Sequence, residues 1–188
     1  MELHTVPVVV LAGGKSSRMG RDKMALPLGG ETMLGRTVRV FGEAFGRVYV
    51  SGAGEAVPGA ERIPDIISGG GPASGLHAAM KTLPDAAFFL VAGDMPLSDP
   101  RFAVEIIARA AGFDAAAAGT AERPEPLFAY YTRAAESAVD AAADGTFGLA
   151  RVLKSVNTVY VEVPEEVLTN VNTPSDYDKI FRKQTHNE

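Results

Sequence analysis

A glycine pair, Gly13-Gly14, closes the apolar run Val8 to Ala12, and four cations follow within nine residues: Lys15, Arg18, Arg21 and Lys23. Only Asp22 opposes them. Two carboxylates hold comparable places further on, Asp65 behind Ile63-Pro64 and Asp94 in Gly93-Asp94-Met95-Pro96. Glycines after a buried strand let the backbone turn sharply and bring its N–H groups against phosphate oxygens. Cations downstream supply charge for a di- or triphosphate, and a carboxylate at a neighbouring strand end can hold Mg²⁺ against the same phosphates. Each feature has a plainer reading: a tight turn, a solvated cationic surface, an aspartate that turns the chain before Pro96. The glycines fit neither G-x-x-x-x-G-K-[ST] nor G-x-G-x-x-G. What favours an anionic ligand with a metal is that all three features follow predicted strands.

Those strands are read from periodicity and composition. Val6 to Ala12 is a β-branched run of the kind buried on both faces of a sheet. Further strands are expected over 47–52, 61–66, 86–96, 126–132 and 158–163, with an alanine-rich one over 114–120. Between them, 31–45 places Met33, Leu34, Val38, Phe41 and Phe45 at near-helical spacing. Helices are also expected over 71–84, 100–112, 136–145, 146–156 and 173–183, the last with Thr173 as cap and Pro174 in the first turn. Strand-helix alternation of this kind predicts an α/β domain with a mainly parallel sheet and helices on both faces. Ligands of such sheets sit at the carboxyl ends of the strands, which puts Gly13-Gly14, Asp65 and Asp94 along one rim. No repeat, low-complexity tract or linker interrupts the pattern, so residues 1–188 read as one domain.

Composition narrows the classes. The 188 residues are 46% hydrophobic and 22% charged, as in soluble globular proteins. A net charge of −5 argues against a nucleic-acid binder, which needs a broad basic surface, but allows a small anionic ligand that needs only a local cluster. The absence of cysteine excludes disulfides, thiolate metal sites and a cysteine nucleophile. Nothing resembles a signal peptide, and no run approaches the roughly 20 apolar residues of a membrane span. A cytoplasmic protein, bound neither to membrane nor to nucleic acid, is the expectation. The three histidines, His4, His77 and His186, are assigned no chemical role.

The stretch Leu11-Ala12-Gly13-Gly14-Lys15-Ser16-Ser17-Arg18-Met19-Gly20-Arg21-Asp22-Lys23 resembles the L-A-G-G-x-S-x-R-M-G-x-D-K signature of nucleotidyltransferases, most closely that of the molybdenum cofactor guanylyltransferase (MobA) family. Later segments resemble further motifs of that family in the same order. Residues 70–76 (GGPASGL) are similar to its G-P-x-x-G-[LIM] loop, and 92–97 (AGDMPL) to its C-D-x-P segment. Residues 123–131 (RPEPLFAYY) and 170–177 (NVNTPSDY) are similar to its H/Q-P-[LV]-F-A-L and N-x-N-T-P-x-D stretches. The resemblance implies a nucleotide-diphospho-sugar transferase-like, Rossmann-like fold in three layers. It implies GTP contacts from Leu11, Ala12, Gly13 and Gly14, with Asp65 and Lys23 also at the nucleotide and residues 15–18 wrapping its phosphates. Lys23 and Arg18 would offset transition-state charge, Asp94 would ligate Mg²⁺ beside the GTP, and Asn172 would stand near the pterin and the transfer centre. Arg123 and Lys154 are either further pterin candidates or, equally, solvated surface charges. Two positions depart from the pattern: Ser51-Gly52 stand where the family often has a nucleotide-contacting asparagine, and Gly93 replaces the cysteine before the metal aspartate.

The reaction so implied joins GMP from GTP to the terminal phosphate of molybdopterin and releases pyrophosphate, with molybdoenzymes or their chaperones as possible partners. Its nucleophile is an ionised phosphate, so it needs no protein base, and no such constellation stands out in the sequence. Three rivals remain open: a cytidylyltransferase for the same pterin, a nucleotidyltransferase for another small phosphate acceptor, and a non-catalytic module that delivers cofactor.

Overall fold

A computed structural model describes residues 6–13, 23–52 and 56–185, with Lys23 and residues 182–185 given by their backbone alone. β1 (Val8–Leu11) comes first, followed by a small hairpin of β2 (Pro27–Leu28) and β3 (Glu31–Thr32). Helix α1 (Met33–Phe45) and β4 (Val48–Ser51) come next, then β5 (Glu61–Ile63), α2 (Pro72–Thr82), β6 (Ala87–Ala92) and α3 (Pro100–Arg109). The remainder is β7 (Ala115–Gly119), β8 (Pro124–Thr132), α4 (Glu136–Ala142), α5 (Leu149–Ser155), β9 (Thr158–Val161) and α6 (Pro174–Thr185). Every strand and helix expected from the sequence is present, most of them a few residues shorter. The hairpin was not anticipated, its strands being too short to show a period.

The main sheet has seven strands in the order β5-β4-β1-β6-β8-β7-β9. Only β8 runs against its neighbours. Because strand side chains alternate between faces, the core divides in two. Val8 and Val10, Phe89 and Val91, and Phe128 and Tyr130 join one cluster with α1 and α3. Val9 and Leu11, Phe88 and Leu90, and Ala129 and Tyr131 join the other, with α2, α4 and α5. Phe41, Phe45, Phe89 and Phe128 meet at ring-centroid distances of 5.1–6.3 Å, and burying each such ring stabilises the fold by roughly 1.5–3 kcal/mol. The sheet is therefore sandwiched between two helical layers, as the alternation predicted.

Local signals explain the helix ends. The Thr32 hydroxyl accepts the Gly35 N–H at 3.0 Å, and Gly46, at φ 75°, donates its N–H to Gly42 O at 2.9 Å, so both ends of α1 are satisfied. Thr173 and Asp176 exchange bonds at the start of α6, Asp176 N–H to the Thr173 hydroxyl at 3.2 Å and Thr173 N–H to Asp176 Oδ2 at 2.9 Å. That reciprocal pair is a capping box. Pairing of β5 stops at Ile63 because Pro64 has no N–H to give, so Asp65 lies two residues past the strand rather than at its end. Tyr177 of α6 donates its hydroxyl to Pro27 O, and Ile180 packs with Leu26, Leu28, Met33 and Val171. These contacts fasten the C-terminal segment to the hairpin. Among the described residues no helix is long and apolar enough to cross a membrane.

Candidate active site

The chain continues the sheet's ladder for one residue past two of three adjacent parallel strands, β1 and β6. Ala12 N–H bonds Ser51 O at 2.8 Å, and Gly93 N–H bonds Leu11 O at 2.9 Å. The turns Ala12-Gly13, Ser51-Gly52 and Gly93-Asp94 thus leave the sheet at one edge, as the strand-end rule required. Gly13 and Gly52 are in backbone contact: a Cβ on Gly52 would fall 2.7 Å from Gly13 N and 2.8 Å from its Cα, and Gly52 has φ +81°. Only glycine tolerates both conditions.

A cleft of about 360 Å³ opens there, lined by Leu11, Gly13, Ser51, Gly52, Asp65 and the turn into α2. Ser51 is buried, and its hydroxyl donates to Asp65 Oδ1 at 3.3 Å. Asp65 itself is exposed to the cleft. The turn into α2 offers Gly71 before the helix and Pro72 at its first position, where the missing N–H of proline is harmless. The positive end of the helix dipole therefore faces the cleft, as suits an anion.

A second cavity of about 620 Å³ adjoins the first and shares Gly69, Gly71 and Pro72 with it. Its polar side chains are Asp94, Glu125, Asn170 and Asn172. Asp94 is buried, 8% exposed, and its carbonyl oxygen accepts the Val171 N–H at 2.9 Å. That backbone bond brings the Asn170–Asn172 segment from the far end of the chain to the metal candidate. Glu125 is half-buried on β8, with Oε1 accepting the Leu127 N–H at 3.0 Å. Burial pushes its carboxyl upward, the Leu127 N–H pulls it down, and the negative charge of Asp94 pushes it up again.

The sequence-derived candidates divide accordingly. Leu11, Gly13 and Asp65 line the first cleft, and Asp94 with Asn172 lines the second; Ala12 joins them through its bond to Ser51. Gly14, Lys15 and Arg18 lie outside the described residues, and Lys23 is present through its backbone, at the start of a short 3-10 helix spanning Lys23–Ala25. Arg123 and Lys154 are absent from the lining of both cavities. Sequence reasoning missed Glu125, although it lies inside the 123–131 segment, at the position where the family pattern has histidine or glutamine.

Residues 8–161 match the model of the MobA-like NTP transferase domain. The chain belongs to that family. Among relatives, this MobA-like transferase is 36% identical over 183 residues to a probable molybdenum cofactor guanylyltransferase of Pelotomaculum thermopropionicum, covering 91% of this chain and 89% of the relative. A probable molybdenum cofactor guanylyltransferase of Opitutus terrae is 33% identical over 189 residues, 93% and 94% of the two chains. Among solved structures, molybdopterin-guanine dinucleotide biosynthesis protein A from Archaeoglobus fulgidus superposes with a TM-score of 0.82 at 25% identity, covering 96% of this chain and all of the other. The three-layer sheet of the MobA-like transferase is thus the nucleotidyltransferase fold that its motifs implied.

Proposed function

We propose that this MobA-like transferase joins GMP from GTP to the terminal phosphate of molybdopterin, releasing pyrophosphate. The observation that carries the reading is the pair of adjoining cavities, one ending at Asp65 and the Gly13–Gly52 turn, the other holding Asp94 and Asn172. Two substrates seated there would meet over Gly69–Pro72 and the N-terminus of α2. The names of the relatives and the order of the shared motifs support the choice of nucleotide and acceptor.

The first cleft suits a guanine nucleotide. Ser51 orients the Asp65 carboxylate with its hydroxyl proton; a carboxylate accepts hydrogen bonds, and guanine presents two adjacent donors, N1–H and the 2-amino group. Cytosine offers only its 4-amino group. The Gly13 turn and the N-terminus of α2 then place N–H groups toward the phosphates, with Arg18 and Lys23 supplying positive charge. An oxygen of the acceptor phosphate attacks the α-phosphorus, and the bond from that phosphorus to the bridging β-oxygen breaks. The electron pair leaves on pyrophosphate, and no proton has to move. Catalysis is positioning and charge stabilisation.

The residues present fit Mg²⁺ as cofactor. The donors of the second cavity are two carboxylates and two amides, all offering oxygen, the preference of a hard cation. Among the described residues no cluster of three or more acidic, histidine or cysteine groups could hold a metal alone. That matches the habit of Mg²⁺, which takes one or two protein carboxylates and completes its shell with phosphates and water. When bound, it neutralises charge on the reacting phosphates; Asp94 is the residue that would hold it.

Pyrophosphate release with molybdopterin and Mg²⁺, compared for GTP and CTP, tests the reading. Release from GTP alone is expected. Release from CTP alone would transfer the assignment to a cytidylyltransferase, and release from neither would refute the proposal.

A further inference from the structure

We infer that Glu125 is a second carboxylate ligand for the divalent cation, acting beside Asp94; the inference rests on the nucleotidyltransferase reading and concerns how its metal is held.

The backbone shows how Glu125 is aimed. β8 pairs with β7 through Ala117↔Ala129, and the next pair is Ala118↔Glu125. Residues 126–128 are therefore extra on β8, opposite a single step of β7, which is a bulge of the kind that redirects side chains beside functional sites. On the other edge, β8 pairs with β6 no further than Val91↔Phe128, and two residues later β6 has given way to Gly93-Asp94. The bulge thus lies where Asp94 leaves the sheet. It is braced from within: the Tyr131 hydroxyl donates to Pro126 O at 2.9 Å, and Leu127 N–H to Glu125 Oε1 at 3.0 Å. Among the described residues this second bond is the one protein hydrogen bond to the Glu125 carboxylate, and it fixes one oxygen while Oε2 takes no protein donor.

Charge gives the reason to place an acid there. Asp94 and Glu125 both line this cavity. Two carboxylates in one concave, partly desolvated site repel each other. A divalent cation reverses that balance, because it attracts both acids and the phosphates of the substrate. The plainer account is that Glu125 only caps the bulge through Oε1. Glutamine would do that equally well, since its amide oxygen accepts the same Leu127 N–H, so Glu125→Gln separates the two roles.

The test is a Mn²⁺ titration of the full chain without substrates, followed by water-proton relaxation, for the native protein, Glu125→Gln and Asp94→Asn. Saturable binding is expected in the native chain, weakened at least about tenfold by Glu125→Gln and lost in Asp94→Asn. A second variant, Glu125→Cys, places a single thiol in a cysteine-free chain, and added Cd²⁺ should give a thiolate-to-metal charge-transfer band. Native affinity in Glu125→Gln, or no such band in Glu125→Cys, would overturn the inference. Unchanged binding in both Asp94→Asn and Glu125→Gln, or no saturable binding in the native chain, would remove the metal from both carboxylates. Pyrophosphate release from GTP would still judge the transferase reading on its own.

Discussion

The contact between Gly13 and Gly52 allows a quantitative test of how the proposed nucleotide cleft is shaped. In Gly52→Ala the new Cβ would sit 2.7 Å from Gly13 N and 2.8 Å from Gly13 Cα, both backbone atoms, at φ +81°. Two penalties combine. The left-handed conformation costs an alanine roughly 1–2 kcal/mol, and forcing atoms into a packed region costs roughly 1–3 kcal/mol more. Gly112→Ala isolates the first penalty, because Gly112 has φ +82° and a methyl group added there would meet nothing within 4 Å. Urea unfolding should therefore show a loss of ~1–2 kcal/mol for Gly112→Ala and ~2–5 kcal/mol for Gly52→Ala. The function should split in the same way. Relieving the clash moves Gly13 within the proposed nucleotide cleft, and kcat/KM for GTP should fall on the order of 10- to 100-fold, while Gly112→Ala leaves it unchanged. Equal stability losses in the two variants would refute the packing argument. Normal GTP kinetics in a folded Gly52→Ala protein would refute the placement of the nucleotide against this turn.

Asp94→Ala should lower turnover by at least ~100-fold, the scale of removing a central electrostatic stabiliser, with little loss of stability; near-native Mg²⁺-dependent turnover would show that Asp94 is not the metal residue. Lys23→Ala should also slow transfer, and unchanged kinetics would return Lys23 to a surface charge. Asp99 caps α3 by accepting the Arg101 N–H at 2.9 Å, and the Arg101 side chain holds its carboxyl below the ordinary value of 3.8. A depressed folded value stabilises the protein above the unfolded pKa and is lost as pH falls through the folded one. Asp99→Ala should thus lose about 1 kcal/mol at neutral pH, and the gap between the two urea midpoints should close under acid; a constant gap would contradict the role of the charge.

Much of this architecture is written locally. The β-branched Val8–Val10 run, the apolar 86–92 stretch and the helical stripe from Met33 to Phe45 declare their elements through periodicity, which depends only on neighbouring residues. The capping residues Thr32 and Thr173 and the glycine at 46 mark boundaries for the same reason. Because ligands of parallel sheets gather at strand ends, these local signals were enough to bring Gly13, Asp65 and Asp94 to one edge. The family motifs then implied the chemistry. Sequence could not say how the site is completed, because strand pairing is non-local. β8 inserts antiparallel between β6 and β7, and its bulge delivers Glu125 to the cavity of Asp94. No periodicity announces a bulge whose position is set by the partner strands. In the same way, Asn172 reaches that cavity through Val171 N–H on Asp94 O and the packing of α6 on the hairpin. The residues able to do chemistry were legible one by one; which of them share a cavity was decided by pairing and packing across the chain.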